Sequence, residues 1–221
     1  MKHSSLQRCR VLLLLFSFAL ASARAGFIET FEDGTNIGDW RLTTSTDPII
    51  EPNGGNPGAY LRQQVDTTTP TWGTSTRSNP FVGNYTKLGV EAISFDLQIF
   101  AGIGSPPRNA TLILYSSLGS HDPLKSVTAY ALGPDVSDLP KGWLTYSYKI
   151  SALSGEIPPG WKVYLGDGHK GSNADWRALL QDVEFVGLEL GTLGYIYPVW
   201  VWDLGLDNVR ISKRYRPSDQ P

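Results

Sequence analysis

The chain has 221 residues, 41% of them hydrophobic, and a formal charge of −2, which is enough apolar mass for one sizeable core and excludes a wholly disordered chain. Its 23 Gly, 15 Pro and 7 Trp, with Thr, Ser and Tyr plentiful and long Ala/Glu/Lys/Leu stretches lacking, argue against a helical bundle and for an all-β domain. The basic residues are scattered, so no patch points to nucleic acid.

Residues 1–25 read as a cleaved secretory leader: Lys2, Arg8 and Arg10 precede the apolar run VLLLLFSFALA, and Ala23-Arg24-Ala25 places the cut before Gly26. The run is short for a bilayer span, which leaves a retained anchor as the second reading. Cys9, the only cysteine, precedes the apolar run and leaves with the leader. Loss of Lys2, Arg8, Arg10 and Arg24 makes the exported chain more acidic.

From Gly26 onward short apolar runs alternate with turn chemistry. GFIETF and WRL are expected strands flanking EDGTNIGD. The stretch between residues 43 and 80 is rich in Gly, Pro, Thr and Asn and is expected to be mostly surface loop, with one strand in AYLRQQV. VEAISFDLQIFA then sets Ile93, Phe95, Leu97 and Ile99 against Ala92, Ser94, Asp96 and Gln98, the period of a half-buried strand. NATLILYSS, KSVTAYAL, GWLTYSYKI and WKVYLG continue the series, with PP, GS and GP breakers spaced as in antiparallel sandwiches.

SNADWRALLQDVEFVGLEL departs from it. An N-cap at Ser172 or Asn173 and the spacing of Trp176, Leu179 and Leu180 predict one short helix near 173–182, followed by a strand. The closing run YIYPVWVWDLGLDNVRIS reads as the last strand, ahead of a polar tail at 213–221. One domain over residues 26–212 accounts for the whole.

Catalytic motifs are sparse. Past the leader the histidines are His121 and His169, each among turn residues, with no G-x-S-x-G and no cysteine. Asp182, Glu184 and Glu189 are near in sequence, as a glycosidase carboxylate pair must be near in space, but a helix-to-strand junction explains them better.

The ordered set Asn79-Pro80-Phe81-Val82-Gly83-Asn84-Tyr85, ISFDLQIF, ADWRALLQDVEFVGLEL and GLDNVRIS resembles the laminin B (laminin type IV) domain and its bacterial secreted relatives. That resemblance implies an all-β jelly-roll β-sandwich of two antiparallel sheets, like those of carbohydrate-binding modules, and a noncatalytic extracellular role. The Cys-rich repeats that flank the matrix versions are lacking.

The same resemblance implies a structural Ca²⁺ between an early Glu and an Asp of the final strand, which by position are Glu32 and Asp207; the hard oxygens of Glu29, Asp33 and Asn208 are nearby in sequence. The alternative for Asp207 is a turn residue accepting backbone hydrogen bonds. For sugar binding, aromatic faces stack on pyranose rings while amides and carboxylates fix hydroxyls. Trp72, in its Thr-rich segment, and Trp202, on the closing strand, are the candidate ligand-binding residues, against a core role for any single Trp. The resulting expectation is an exported binding or adhesion-type module for an extracellular or cell-surface glycan or protein, secreted, periplasmic or at the cell surface. The second class is a carbohydrate-active enzyme, a glycoside hydrolase or polysaccharide lyase, on the same scaffold.

Overall fold

A computed structural model of the protein describes residues 26–42, 46–102, 108–136 and 142–214. The leader at 1–25, with Cys9, and the tail from 215 onward lie outside the described residues. Two antiparallel sheets of six strands each face one another as a jelly-roll β-sandwich. In the first sheet the order is β3 (Ile49–Gly55), β4 (Gly58–Thr67), β12 (Trp200–Lys213), β6 (Val90–Ala101) and β9 (Leu144–Lys149). Strand β1 (Gly26–Glu29) joins the same sheet along the far half of β12, so the first and last strands pair, Gly26 opposite Ser212 and Glu29 opposite Val209.

The second sheet runs β10 (Trp161–Leu165), β8 (Val127–Asp135), β7 (Asn109–Ser116), β11 (Phe185–Leu190), β5 (Thr71–Thr74) and β2 (Arg41–Leu42). The period-two pattern of β6 works as the sequence predicts: Ile93, Phe95 and Leu97 are buried between the sheets, while Ser94, Asp96 and Gln98 point the other way. Trp202, Leu204 and Leu206 do the same on β12.

The predicted helix is α2 (Asn173–Gln181), the longer of two α-helices beside α1 (Tyr85–Leu88). Ser172 caps it, with the Asp175 carboxylate accepting the Ser172 backbone N–H at 2.8 Å. Its Trp176, Leu179 and Leu180 are fully buried, the Trp176 ring 5.1 Å from that of Trp161.

Two strands lie where a loop is expected. Ile49–Gly55 contains Pro52, which a strand tolerates at a sheet edge because one side needs no N–H donor. Thr71–Thr74 is only four residues, too short to show a period, and exists because β11 and β2 pair with it from both sides. Its side chains are all buried.

Candidate functional site

The outward face of the first sheet carries the site. On β12, residues alternating with the buried Trp202, Leu204 and Leu206 are Val201, Asp203, Gly205 and Asp207; on β4 they are Tyr60, Arg62, Gln64 and Asp66, and on β6 Asp96, Gln98 and Phe100. Gly205 stands at the centre, opposite Arg62 on one side and Gln98 on the other. A Cβ built on Gly205 would meet Trp143 Cη2 at 2.8 Å, Phe100 Cε2 at 3.0 Å and Tyr60 Cδ2 at 3.0 Å. Three rings therefore converge over bare backbone, which only glycine permits.

The rings pack against one another. Tyr60 and Trp143 meet edge to face with centroids 5.2 Å apart, Tyr60 and Phe100 lie 5.7 Å apart, and Phe100 and Trp143 6.4 Å apart. Tyr60 is the floor, 5% exposed, while Phe100 is 39% exposed and Trp143 half-buried. The indole Nε1 of Trp143 donates to the Gly54 carbonyl at 2.8 Å, which ties the ring to the end of β3.

Polar groups frame the aromatic floor. Arg62 donates from Nε and Nη2 to the two oxygens of Asp203, at 2.8 and 2.6 Å, and its guanidinium lies 5.1 Å from the Phe100 ring centre. Gln64 donates to the same carboxylate at 3.0 Å, and Glu51 reaches Arg62 at 3.4 Å. The Arg62 contact holds the Asp203 carboxyl below its ordinary range, and Asp203 in turn raises the Arg62 pKa. Chemically this is an apolar platform with a fixed guanidinium, a fixed ionised carboxylate and amide groups at its rim.

Beside the platform the turn between β3 and β4 folds over Asp207 and Asp96, which face each other across the β12–β6 pairing and are both buried. Asp207 accepts the backbone N–H of Asn56 at 2.7 Å and that of Asn208 at 2.6 Å. Asp96 accepts the side-chain amides of Asn56, at 3.0 Å, and Asn208, at 2.8 Å, and the Thr145 hydroxyl at 2.5 Å. Glu32 accepts the Ala59 N–H at 3.1 Å, from the other end of that turn. Burial, with the charges of Asp96 and Glu32, pushes the Asp207 carboxyl up to about 6.

Glu32 and Asp207, the pair singled out in the sequence, thus flank one turn. Their donors are hard oxygens, the type Ca²⁺ takes, and three carboxylates near one another gain from a cation. Both oxygens of Asp207 and one of Glu32 already accept backbone amides, and among the described residues no three His, Cys, Asp or Glu form a group able to hold a metal. An ion here would draw on two carboxylates and complete its shell with carbonyls and water.

Trp72 and Trp202 are elsewhere. Trp72 is 0% exposed because β5 is a paired strand and not a loop, and its side chain points between the sheets. Trp202 is likewise 0% exposed, its Nε1 donating to the Thr67 carbonyl at 3.1 Å and its ring lying 4.8 Å from the buried Arg108 guanidinium. Neither indole offers a face to solvent. Along the closing run Trp200 and Tyr195 are exposed, while Trp202 and Tyr197 are buried.

Among the acids suggested for hydrolysis, Glu184 accepts the Ser117 backbone N–H at 2.9 Å and pairs with Arg77 at 2.8 Å, a junction role, with Asp182 3.9 Å from the same Arg77. Asp167 and His169 pair at an exposed turn 3.0 Å apart.

No family profile matches the chain, and no curated protein matches it. Among solved structures it is similar to an exo-beta-agarase (14% identity, TM-score 0.48), covering 86% of this chain and 26% of that one. It is also similar to a carbohydrate-binding module specific for non-crystalline cellulose (16% identity, TM-score 0.38, covering 82% and 90%). A third likeness is to the L4b domain of human laminin alpha-2 (11% identity, TM-score 0.41, covering 82% and 86%). The chain spans about a quarter of the agarase it matches. Likeness of this degree leaves function to the side chains, since one architecture hosts many activities.

Tyr60, Arg62, Phe100, Asp203 and Gly205 escape the sequence reading. Two signals were present: Phe100 falls on the outward register of β6, where alternation calls for a polar residue, and Gly205 interrupts an apolar strand, a mark of close approach.

Proposed function

We propose that this chain is an exported, noncatalytic carbohydrate-binding module whose ligand lies on the outward face of the first sheet, over Tyr60, Phe100 and Trp143. The observation that carries the reading is the convergence of three rings on Gly205 beside the locked Arg62–Asp203–Gln64 set. Stacked rings bury the C–H face of a sugar, while a planar guanidinium, a carboxylate and amides satisfy its hydroxyls; few polar groups at an apolar floor are the usual composition of a small-ligand site.

Binding is favoured over hydrolysis by the state of the acids. Asp203 is held ionised with both oxygens engaged by Arg62, so it accepts hydroxyls and has no proton to give. Asp207, whose carboxyl does retain a proton more readily, is sealed under the β3–β4 turn. Export rests on the leader pattern at 1–25, and an extracellular or cell-surface glycan is the matching partner. Among the described residues no helix is long and apolar enough to cross a membrane.

A structural Ca²⁺ on Glu32 and Asp207 belongs to the same proposal. Bound there it would offset the repulsion among Glu32, Asp96 and Asp207 and clamp the segment after β1, the β3–β4 turn and β12 to one another.

Retention of the purified protein on insoluble polysaccharides tests the reading. Retention on at least one, lost in Phe100→Ala and Trp143→Ala with the fold intact, is the expected result; indifference of retention to both substitutions overturns it.

A further inference from the structure

Beyond glycan binding as such, and resting on that reading, the charges around the platform define which glycans it takes. We infer that the aromatic platform over Gly205 selects neutral polysaccharides and rejects polyanionic ones. Among the described residues the face around the rings carries the carboxylates of Glu51, Asp66, Asp96, Asp203 and Asp207 against one guanidinium, Arg62. That guanidinium is already engaged, at 2.6 Å to Asp203 and 3.4 Å to Glu51. It has a donor left for a hydroxyl but no unbalanced charge for a uronate or sulfate.

The placement of the acids makes them effective. Glu51 lies opposite Tyr60 on the edge strand, beside the rings, and Asp66 is exposed opposite Val201, four ladder positions from Gly205, where the unobstructed end of the face lets a chain laid over the rings reach it. Asp96 and Asp207 lie under the turn at the other end. Water screens exposed charges within about 8 Å at physiological ionic strength, but buried ones much less. A row of anionic groups seated over this floor meets like charge at its Asp66 end and along its Glu51 side, and like-charge juxtaposition at an interface costs several kcal/mol.

The same sheet face has cations farther along. Arg210, opposite Ser94, and Lys149, opposite Ala92, lie past the β3–β4 turn. Because β12 bulges between Asp207 and Arg210, Arg210 opposite Ser94 lies four ladder positions from Gly205 opposite Gln98, roughly 13 Å at ordinary strand rise and beyond the screening length of about 8 Å. The turn pinned on Asp207 and Asp96 stands between, so these cations do not relieve the charge over the rings.

The experiment uses the whole protein and probes that differ in charge on one backbone: hydroxyethylcellulose against carboxymethylcellulose, and agarose against κ-carrageenan, by affinity electrophoresis at low and high salt. The expected result is binding to at least one neutral member, with its anionic counterpart about tenfold or more weaker at low salt and the gap narrowing as salt rises. A Glu51→Gln, Asp66→Asn variant should narrow the gap at low salt by strengthening binding of the anionic member. Equal or tighter binding of an anionic member overturns the inference and leaves glycan binding standing. Binding to none of the four probes removes the glycan reading and the inference with it.

Discussion

Arg62 and Asp203 meet diagonally across the β4–β12 pairing: Arg62 lies opposite Gly205 and Asp203 opposite Gln64, and two hydrogen bonds of 2.8 and 2.6 Å close the diagonal. The absence of a side chain at Gly205 leaves room for the rings beside the pair. Asp203→Asn keeps the shape but leaves Arg62 without its main partner; a stability loss of about 1–3 kcal/mol is expected by denaturant titration, with weaker polysaccharide retention. Because Arg62 lowers the folded pKa of Asp203 below its ordinary 3.8, the stabilisation is complete above that value and is lost as pH falls through the folded pKa. The wild-type acid transition below pH 4 should therefore flatten in Asp203→Asn. An unchanged acid limb would mean the pair is not formed in solution.

Gly205 is the second point of test. Any Cβ there comes within 3.0 Å of three rings, one of them at 2.8 Å, so the rings must move or the strand must shift. Gly205→Ala is expected to reduce retention strongly while lowering stability by about 1–3 kcal/mol, the range of overpacking. Near-wild-type stability with lost retention would be the clearest sign that ring placement, and not folding, is what the glycine serves.

The legibility of this chain follows from where each signal is written. Alternation along β6 and β12 and the Ser172 cap of α2 are local, and a reader of residues 90–101 or 172–181 alone recovers them. The strands at Ile49–Gly55 and Thr71–Thr74 are created by partners far along the chain, so their own Pro- and Thr-rich composition hides them. The platform is more remote still, since Tyr60, Phe100 and Trp143 come from three strands or their approaches and meet only at the Gly205 register. Strand parity could place Phe100 outward, but no local pattern places Trp143 over Gly205. The Thr-rich surroundings of Trp72 point to exposure, and pairing, a nonlocal fact, buries it.

Trp72 and Trp202 yield a contrast with the platform. Both are wholly buried, so Trp72→Phe and Trp202→Phe should lower stability by a few kcal/mol through loss of packing volume while the folded fraction retains polysaccharide as before. Trp143→Ala, at a half-exposed site, should do the reverse, with a small change in melting and a large loss of retention. Melting temperature and retention measured on the same preparations separate the two classes. A specific retention defect in Trp72→Phe at full folding would contradict the burial.

Asp207 connects pH to the calcium proposal. Its folded pKa of about 6 lies above the ordinary 3.8, chiefly through burial and then through Asp96 and Glu32. The folded protein therefore binds this proton more tightly than the unfolded chain does, so in chelator stability is highest, as far as this group is concerned, at low pH. It should decline as pH rises from about 4 through 6 and level off above, where the buried carboxylate is charged in both states. Asp207→Asn abolishes this part of the pH dependence, while exchanging an N–H acceptor for an amide at the Asn56 contact. Ca²⁺ bound at Glu32 and Asp207 would favour the ionised form, so adding it should raise the melting temperature at pH 7 and more weakly at pH 5, as protons compete for the same oxygens. Melting curves in EDTA and in millimolar Ca²⁺ at both pH values measure this. Identical curves at pH 7 would leave Asp207 as an acceptor for the Asn56 and Asn208 amides and remove the ion from the proposal.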